Sequence, residues 1–539
     1  MIIDTTKPDF FYSKTFKKIY YKNFSKLRKD FTKWIDEIGE KKSLEWWVSI
    51  PATRNQYISK LFNIFCLIES LKEIKKKTKI EEIIVGNQEL KKIIEKNTRV
   101  RSKITLRNDH KKFSLKEFLF VSKIFLYQLF IYIICKFTHK KKLLKKEKIV
   151  LIDTFLIDQD LDNNKFYHKK LIEKSKEKNN IYFVPSFHSE INIIKIIKII
   201  FKCSISKNFL LREHYLSFGD ILDSFCIIFR RKRFIKKYKK LKNVDYSKLI
   251  AKEINQNHNL SSQILGLQNY SFFKNLFTSQ IKIKKVINWF ENQSLGKGWN
   301  LGSRTFYPEA ISLGYQGYTF FPQYMCLNPS KSEHDSKVIP EVLLSIGKIY
   351  NKTREEFCKT IKIKNAPALN FQHVFKKKKI KFPKNNHVLI ILTGFLQDDI
   401  SLIQWCIESN LHKKNLKIYV KEHPILKIKT IKKYLSFFPD NYIITKKKFS
   451  DAVSSSKILI CSGVTSAILE LIVQKRFIII PRIGPLDHVI FKKLNISKNF
   501  KVLEKPEDLS LFLRNLSTYA YNKNSFFIKQ TKKNLEIFQ

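Results

Sequence analysis

The chain has 539 residues, 44% of them apolar, and carries 103 lysines and arginines against 47 aspartates and glutamates, a formal net charge of +56. That length exceeds one ordinary core and predicts two or more domains, and the apolar share excludes a disordered chain. The charge suits anionic partners such as acidic lipid headgroups, nucleotide-activated substrates or nucleic acid. Yet the lysines run along the whole chain among Ile, Asn and Phe, as a low-GC coding bias produces, and gather on no single arm, which argues against a nucleic-acid-binding protein.

The eight cysteines form no CxxC pair and no zinc-spaced set, which predicts a reducing, cytoplasmic setting. The opening MIIDTTKPDFFYSK has no basic-then-apolar leader layout. Residues 1–79 form an N-terminal region that is helical and basic from about residue 15, with apolar residues at helical spacing after Pro51. "IEEIIVGNQELKKIIEK" (80–96) predicts a short strand, a turn at Gly86-Asn87 and a helix, the βα start of a domain spanning 80–340. "FLFVSKIFLYQLFIYIIC" (118–135) is nearly all apolar, with Lys123 its one charge and lysine clusters on both sides. It is close to the shortest span that crosses a bilayer. Three readings stay open: a transmembrane helix, an interfacial helix held by lysines on acidic headgroups, or a core helix.

Alternation of strand and helix then resumes, with strands at 148–153, ending at Asp153-Thr154, at 180–186 and at 283–293, and mostly basic amphipathic helix over 190–260. The segment 294–340 holds Gly296, Gly298, Gly302, Gly314 and Gly317 and is expected to be the hinge. A second domain, 341–539, shows continuous apolar strands at 387–392, 416–421, 441–445, 457–461 and 476–481, alternating with helices and closed by one near 506–516. Such runs predict a parallel sheet covered on both faces.

Ligands of these sheets bind beyond the carboxyl ends of the strands, which selects Thr393-Gly394, Lys421-His423-Pro424 and Ser462-Gly463-Val464-Thr465-Ser466 as walls of one crevice. Gly463 permits a tight turn, and Thr465 or Ser466 can cap the next helix, whose free N–H groups suit phosphate. Glu470 lies one turn deeper and can accept from ribose hydroxyls, or serve as a structural carboxylate. Pro424 keeps His423 out of helix, so the imidazole is held at the strand end beside the positive Lys421. Asp398-Asp399, the adjacent acidic pair, diverges on a helix start, and no metal site is expected. Glu291, in "WFENQ", is the candidate catalytic base, with binding of loop amides as its plain structural role, and Gln316 either touches substrate or shapes a turn.

"KEHP" (421–424) followed by "SGVTSAILE" (462–470) resembles the nucleotide-binding half of GT-B glycosyltransferases, and more narrowly the HP and Ser/Thr motifs of bacterial sialyltransferases and capsular Kdo transferases. The segment "WFENQSLGKGWNLG…YPEAISLGYQGYTFFPQ…NPSKSEHDSKVIPEVLLSIG" is similar to surface carbohydrate (O-antigen or capsule) biosynthesis proteins, the likeness spreading over roughly 150–490. The resemblance implies two Rossmann-like domains facing across a cleft, with a nucleotide sugar, CMP-sugar favoured, on the second. It assigns donor-phosphate contact to His423 and the hydroxyl-bearing loop to Thr465 and Ser466. The acidic motif of the sialyltransferases has no match here.

The expectation is thus a metal-independent, cytoplasmic glycosyltransferase at the inner face of a bacterial membrane, needing no cofactor. Its partners would be a nucleotide sugar, a glycan or lipid-linked acceptor and an anionic membrane surface, with no nucleic acid. A nucleotide-sugar 2-epimerase or polyol-phosphate transferase on the same architecture is the alternative.

Overall fold

The computed structural model describes residues 1–39, 43–98, 103–107, 115–141, 147–156, 180–187, 193–318, 323–369, 371, 386–465, 467–468, 471, 476–485 and 500–514. Strands β1 (Ile2–Asp4), β2 (Glu82–Val85) and β3 (Lys103–Leu106) pair in parallel, in the order β1-β2-β3. The predicted strand and helix of 80–96 are present, the helix as Gln88–Thr98, but they join this small sheet with the N-terminus. The rest of the N-terminal region is helical, as its periodicity predicts; the helices Lys14–Lys26 and Leu61–Ile74 bury Phe16, Phe24, Phe62 and Phe65 in a shared aromatic core.

The second sheet contains β4 (Lys148–Leu156), β5 (Ile181–Phe187), β6 (Lys282–Trp289), β7 (Ile311–Gln316), β8 (Val342–Ser345) and β9 (Lys362–Asn365). All pairs are parallel and the order is β5-β4-β6-β7-β8-β9. Chain order reverses between β4 and β6, so the crevice of this sheet opens there, beyond Asp153 and Trp289. Strands β8 and β9 follow residue 341, so the sheet of the first domain extends past the boundary expected from sequence. Short strands such as VLLS carry too few residues for periodicity to assign them to either side.

The third sheet contains β10 (Val388–Ile391), β11 (Ile418–Lys421), β12 (Tyr442–Ile444), β13 (Ile458–Cys461), β14 (Phe477–Pro481) and β15 (Phe500–Leu503). Its order is β12-β11-β10-β13-β14-β15, all parallel. This is the doubly wound arrangement, with its switch point between β10 and β13. The apolar runs alternate between two cores. Val388, Ile390, Ile418, Val420, Ile458 and Ile460 face one side, and Leu389, Ile391, Leu459 and Cys461 the other. A strand apolar on both faces is soluble only between two layers of helix. The chain is therefore a mixed α/β protein with two doubly wound parallel sheets, the fold class its sequence pattern predicts.

The glycine-rich stretch is not a hinge over its first half. Ser294–Phe306 is a helix packed against the helix Leu260–Thr278. A Cβ on Gly298 would lie 1.6 Å from the Gly266 carbonyl oxygen. The glycines are there because two helix backbones touch, and backbone freedom plays no part. Beside this crossing, Glu333 is fully buried and takes Arg54 Nη2 at 2.5 Å and Lys297 Nζ at 2.5 Å. One carboxylate so ties the N-terminal helices to the glycine-bearing helix. Removing it would strand two buried cations, at a cost of about 3–5 kcal/mol.

Candidate functional site

At the open edge of the third sheet, Ile391 of β10 is in register with both Lys421 of β11 and Cys461 of β13. The ends of β11 and β13 thus flank the end of β10 at about 10 Å from each other, two strand spacings. The loop after β10 is shaped by Asp399. Its Oδ1 accepts from the Thr393 N–H at 2.7 Å and the Thr393 hydroxyl at 2.9 Å, and its Oδ2 accepts from the Gly394 N–H at 3.0 Å. Burial raises the Asp399 carboxyl to about 6, against the pull of those donors. Thr393 and Gly394 were candidate donor-binding residues, but their N–H groups and the Thr393 hydroxyl are already committed to this carboxylate. Their part is to set the loop.

Gly394 sits at φ +87°, and a methyl placed on it would come within 2.4 Å of His423 Nδ1. The imidazole therefore lies directly on the Gly394 backbone, and both residue types are needed for the contact: no side chain on one, a flat ring on the other. His423 Nδ1 accepts the Ile425 N–H at 3.3 Å. That bond assigns the ring proton to Nε2 and leaves Nε2–H as a donor. Burial lowers the imidazole pKa, so the ring is neutral near pH 7. Lys421 is placed beside it, with its ammonium donating to the Lys447 carbonyl at 2.7 Å. Glu422 Oε1 accepts the Ile428 N–H at 2.7 Å, at the start of the helix Ile428–Lys432, which fixes how the chain leaves the site.

After β13, Ser462 Oγ accepts the Val464 N–H and Thr465 Oγ1 accepts the Ala467 N–H, both at 3.3 Å. A hydroxyl that accepts keeps its own proton to donate. Ser462 is buried and Thr465 half-buried, with Gly463 between them in the turn. Ser466 and Glu470 lie outside the described residues. Val464 packs into the apolar cluster of the N-terminal helices and Met325, so this loop faces the first half of the molecule.

Across from it, the crevice of the second sheet is acidic. Trp289 holds two carboxylates: its backbone N–H donates to Asp153 Oδ1 at 2.7 Å and its indole N–H to Glu291 Oε1 at 2.8 Å. Asp153 is buried and its carboxyl is pushed up to about 7 by desolvation, with Glu291 adding to the shift. Glu291 is open to solvent but closely surrounded by protein, and desolvation raises its carboxyl above the usual value. Gln316, by contrast, is fully buried and donates to the Leu327 carbonyl at 3.4 Å, a turn-holding role.

The two crevices meet through an aromatic clasp. The Tyr57 ring stacks on Phe395 at 4.1 Å and meets Tyr324 edge-on at 5.4 Å, and its hydroxyl donates to Asp398 Oδ2 at 2.8 Å. Glu291 is near enough to raise the Tyr324 hydroxyl pKa. Tyr324, Tyr57, Phe395, Gly394 and His423 are therefore linked by direct contact or by the chain itself. Asp398 is pushed up to about 7 by burial. Tyr57, Asp153 and the tie from Asp398 to Tyr57 were not among the residues picked from sequence. An acid in the first turn of a helix reads as an ordinary dipole partner, and nothing local shows that a tyrosine far upstream reaches it. Among the described residues, no three His, Cys, Asp or Glu side chains come together as a metal set.

No family model matches the chain, and none of the curated proteins does. Among solved structures, MurG of Acinetobacter baumannii aligns with TM-score 0.36 and 9% identity over 72% of this chain and 94% of its own. A glycosyltransferase from Rickettsia africae ESF-5 aligns with TM-score 0.38 and 11% identity over 73% of this chain and 98% of its own. The N-terminal domain of Candida albicans trehalose-6-phosphate phosphatase aligns with TM-score 0.39 and 12% identity over 74% of this chain and 94% of its own. Likenesses this loose carry no argument about chemistry, which rests on strand order and on the residues at the gap.

Proposed function

We propose that the chain is a glycosyltransferase of the GT-B type that moves a sugar from a nucleotide sugar, a CMP-sugar in the first instance, to a hydroxyl of a glycan or lipid-linked acceptor. The observation that carries this reading is the imidazole of His423 seated on Gly394 at the switch point, with its Nε2–H free of the internal bond made by Nδ1.

The donor phosphate would lie over the ends of β10, β11 and β13, accepting from His423 Nε2–H and the Thr465 hydroxyl. Glu291 would take the proton of the acceptor hydroxyl as its oxygen attacks the anomeric carbon. The bond from that carbon to the phosphate oxygen breaks as the new one forms, and the leaving phosphate keeps the electron pair. Donors fixed in advance stabilise that charge without reorganising. A carboxylate of raised pKa is a stronger base while still ionised near neutrality. This scheme uses only side-chain and backbone donors, so transfer proceeds in the presence of chelator.

The test is a thermal-shift screen of the full chain with CMP, UDP and GDP and their sugar conjugates. Ligand bound to the folded form raises the midpoint with the logarithm of its concentration over its dissociation constant. Stabilisation by one nucleotide class in wild type, lost in His423→Ala, is the expected result. Absence of any shift across the panel would overturn the reading.

A further inference from the structure

The apolar stretch singled out in the sequence is a helix, Leu115–Lys136, long and apolar enough by composition to cross a membrane. Twenty-two residues at 1.5 Å each reach about 33 Å, enough to cross a bilayer. Its contacts argue against that use. Ile124, Gln128, Ile131 and Cys135, spaced by four, three and four, are buried against the first domain. Phe125 meets Phe225 edge-on at 4.5 Å, and Lys136 donates to the Leu216 carbonyl at 2.8 Å. Spanning would pull this stripe out of the protein core.

The opposite side of the helix is bare. Leu119 is 56% exposed, Leu126 62% and Phe137, just beyond its end, 80%. A second helix, Ile193–Ile205, shares the same inner core: Ile196, Ile199, Ile200 and Cys203 belong to one cluster with Ile131 and Cys135. Its outer side exposes Ile194 and Phe201 together with Lys195, Lys198 and Lys202, and it contains no acidic residue. A third helix, Phe218–Phe225, closes the other flank through Phe225 and leaves Phe218 and Leu222 exposed.

We propose that these three helices form one membrane-docking face that lies flat on an acidic phospholipid surface. Exposed large apolar side chains on all three helices and lysines interleaved along Ile193–Ile205 are features of an interfacial surface, which sinks its apolar side about 5–10 Å below the headgroups while cations contact anionic lipid. The carboxylates of the third helix are held locally, Asp220 by Ser217 and Asn275 and Asp223 by Arg230. The charge selects this occupant over a second copy of the chain, because two such lysine-bearing faces repel each other. The face is built from helices that precede the third sheet in the chain, and the inference stands whether or not the sugar-transfer reading does.

The experiment is co-sedimentation of the full chain with phosphatidylglycerol-containing vesicles and with phosphatidylcholine vesicles, at low and high salt. Wild type is expected to bind the acidic vesicles, with affinity reduced at least tenfold in K195E/K198E/K202E and in L119S/L126S. All five positions are surface or partly surface sites, and circular dichroism checks folding. Hydrogen exchange on wild type supplies a reading that needs no variant: vesicles should protect 115–137 and 193–205 and leave 386–465 unchanged. Equal binding to both vesicle types, undiminished binding in both variants, or no protection in these helices would each overturn the proposal. So would a concentration-dependent dimer that disappears in L119S/L126S, which would assign the face to a second copy. Stabilisation by nucleotide, measured on the same variants, reports separately on the transfer site.

Discussion

The two doubly wound sheets obey the same rule and gather different side chains by it. Each opens a crevice where its chain order reverses, at β4/β6 in one and β10/β13 in the other. The first is filled by carboxyls, Asp153 and Glu291, both held by Trp289 and both shifted upward by desolvation. The second is lined by a neutral imidazole and hydroxyls, while the carboxylate of Asp399 is turned inward to hold the loop. Topology decides where polar strand ends gather, and residue type decides what they do. A carboxylate crevice suits proton removal; an imidazole and hydroxyl crevice suits holding phosphate.

That division can be broken from either side. The largest effect is expected from Glu291→Gln, which should lower turnover by about 10²–10⁴-fold, the range of one general base, while nucleotide-induced stabilisation stays as in wild type. On the proposed mechanism Glu291 works only when ionised, so wild-type turnover should fall as pH drops through its raised pKa, and Glu291→Gln should flatten that limb. Should nucleotide stabilisation fall with turnover in this variant, the two crevices do not divide the work.

His423→Ala acts on the other crevice. Loss of one preorganised donor costs about 10²–10³-fold in turnover, and here nucleotide affinity should fall as well, read by calorimetry. Gly394→Ala tests the contact that places the ring. The new methyl would meet His423 Nδ1 at 2.4 Å on a backbone at φ +87°. Ring displacement of about 1 Å predicts a loss of up to about 10²-fold, with the fold retained by circular dichroism. Wild-type turnover in Gly394→Ala would show that the imidazole does not need that seat.

The smallest effect concerns the clasp between the crevices. Asp398 is raised from 3.8 to about 7 by burial. Its retained proton contributes stability that is fully present below about pH 4 and is lost as pH rises through about 7. Asp398→Asn keeps an acceptor for the Tyr57 hydroxyl without the charge. Its melting temperature should therefore vary less between pH 4 and 8 than that of wild type. An unchanged pH profile would place the ionisation elsewhere.

Much of the second domain was legible in the chain. HVLIIL, LKIYVK, KILIC and RFIIIP each sit within a residue or two of an observed strand, because a strand buried on both faces must be apolar without interruption. The placement of His423 at a strand end followed from Pro424 for the same local reason. The glycine-rich stretch misled, since composition cannot tell a flexible backbone from one pressed against a neighbouring helix, as Gly298 is against Gly266. Strands β8 and β9 were assigned to the wrong side of the domain boundary because pairing partners are not written in four-residue segments.

The sequence by itself determined the class of the protein: two parallel-sheet halves, a helical N-terminal region, and a histidine and hydroxyls at strand ends. Periodicity and proline act within a few residues, so a linear reading captures them. The tertiary structure alone decided that Asp399 consumes the donors of Thr393 and Gly394, that Trp289 joins Asp153 to Glu291, that Tyr57 reaches Asp398, and that the apolar helix lies against the domain on one side only. Each of these depends on groups far apart in the chain meeting across a gap, and burial, which sets their pKa values and their availability, is a property of that meeting.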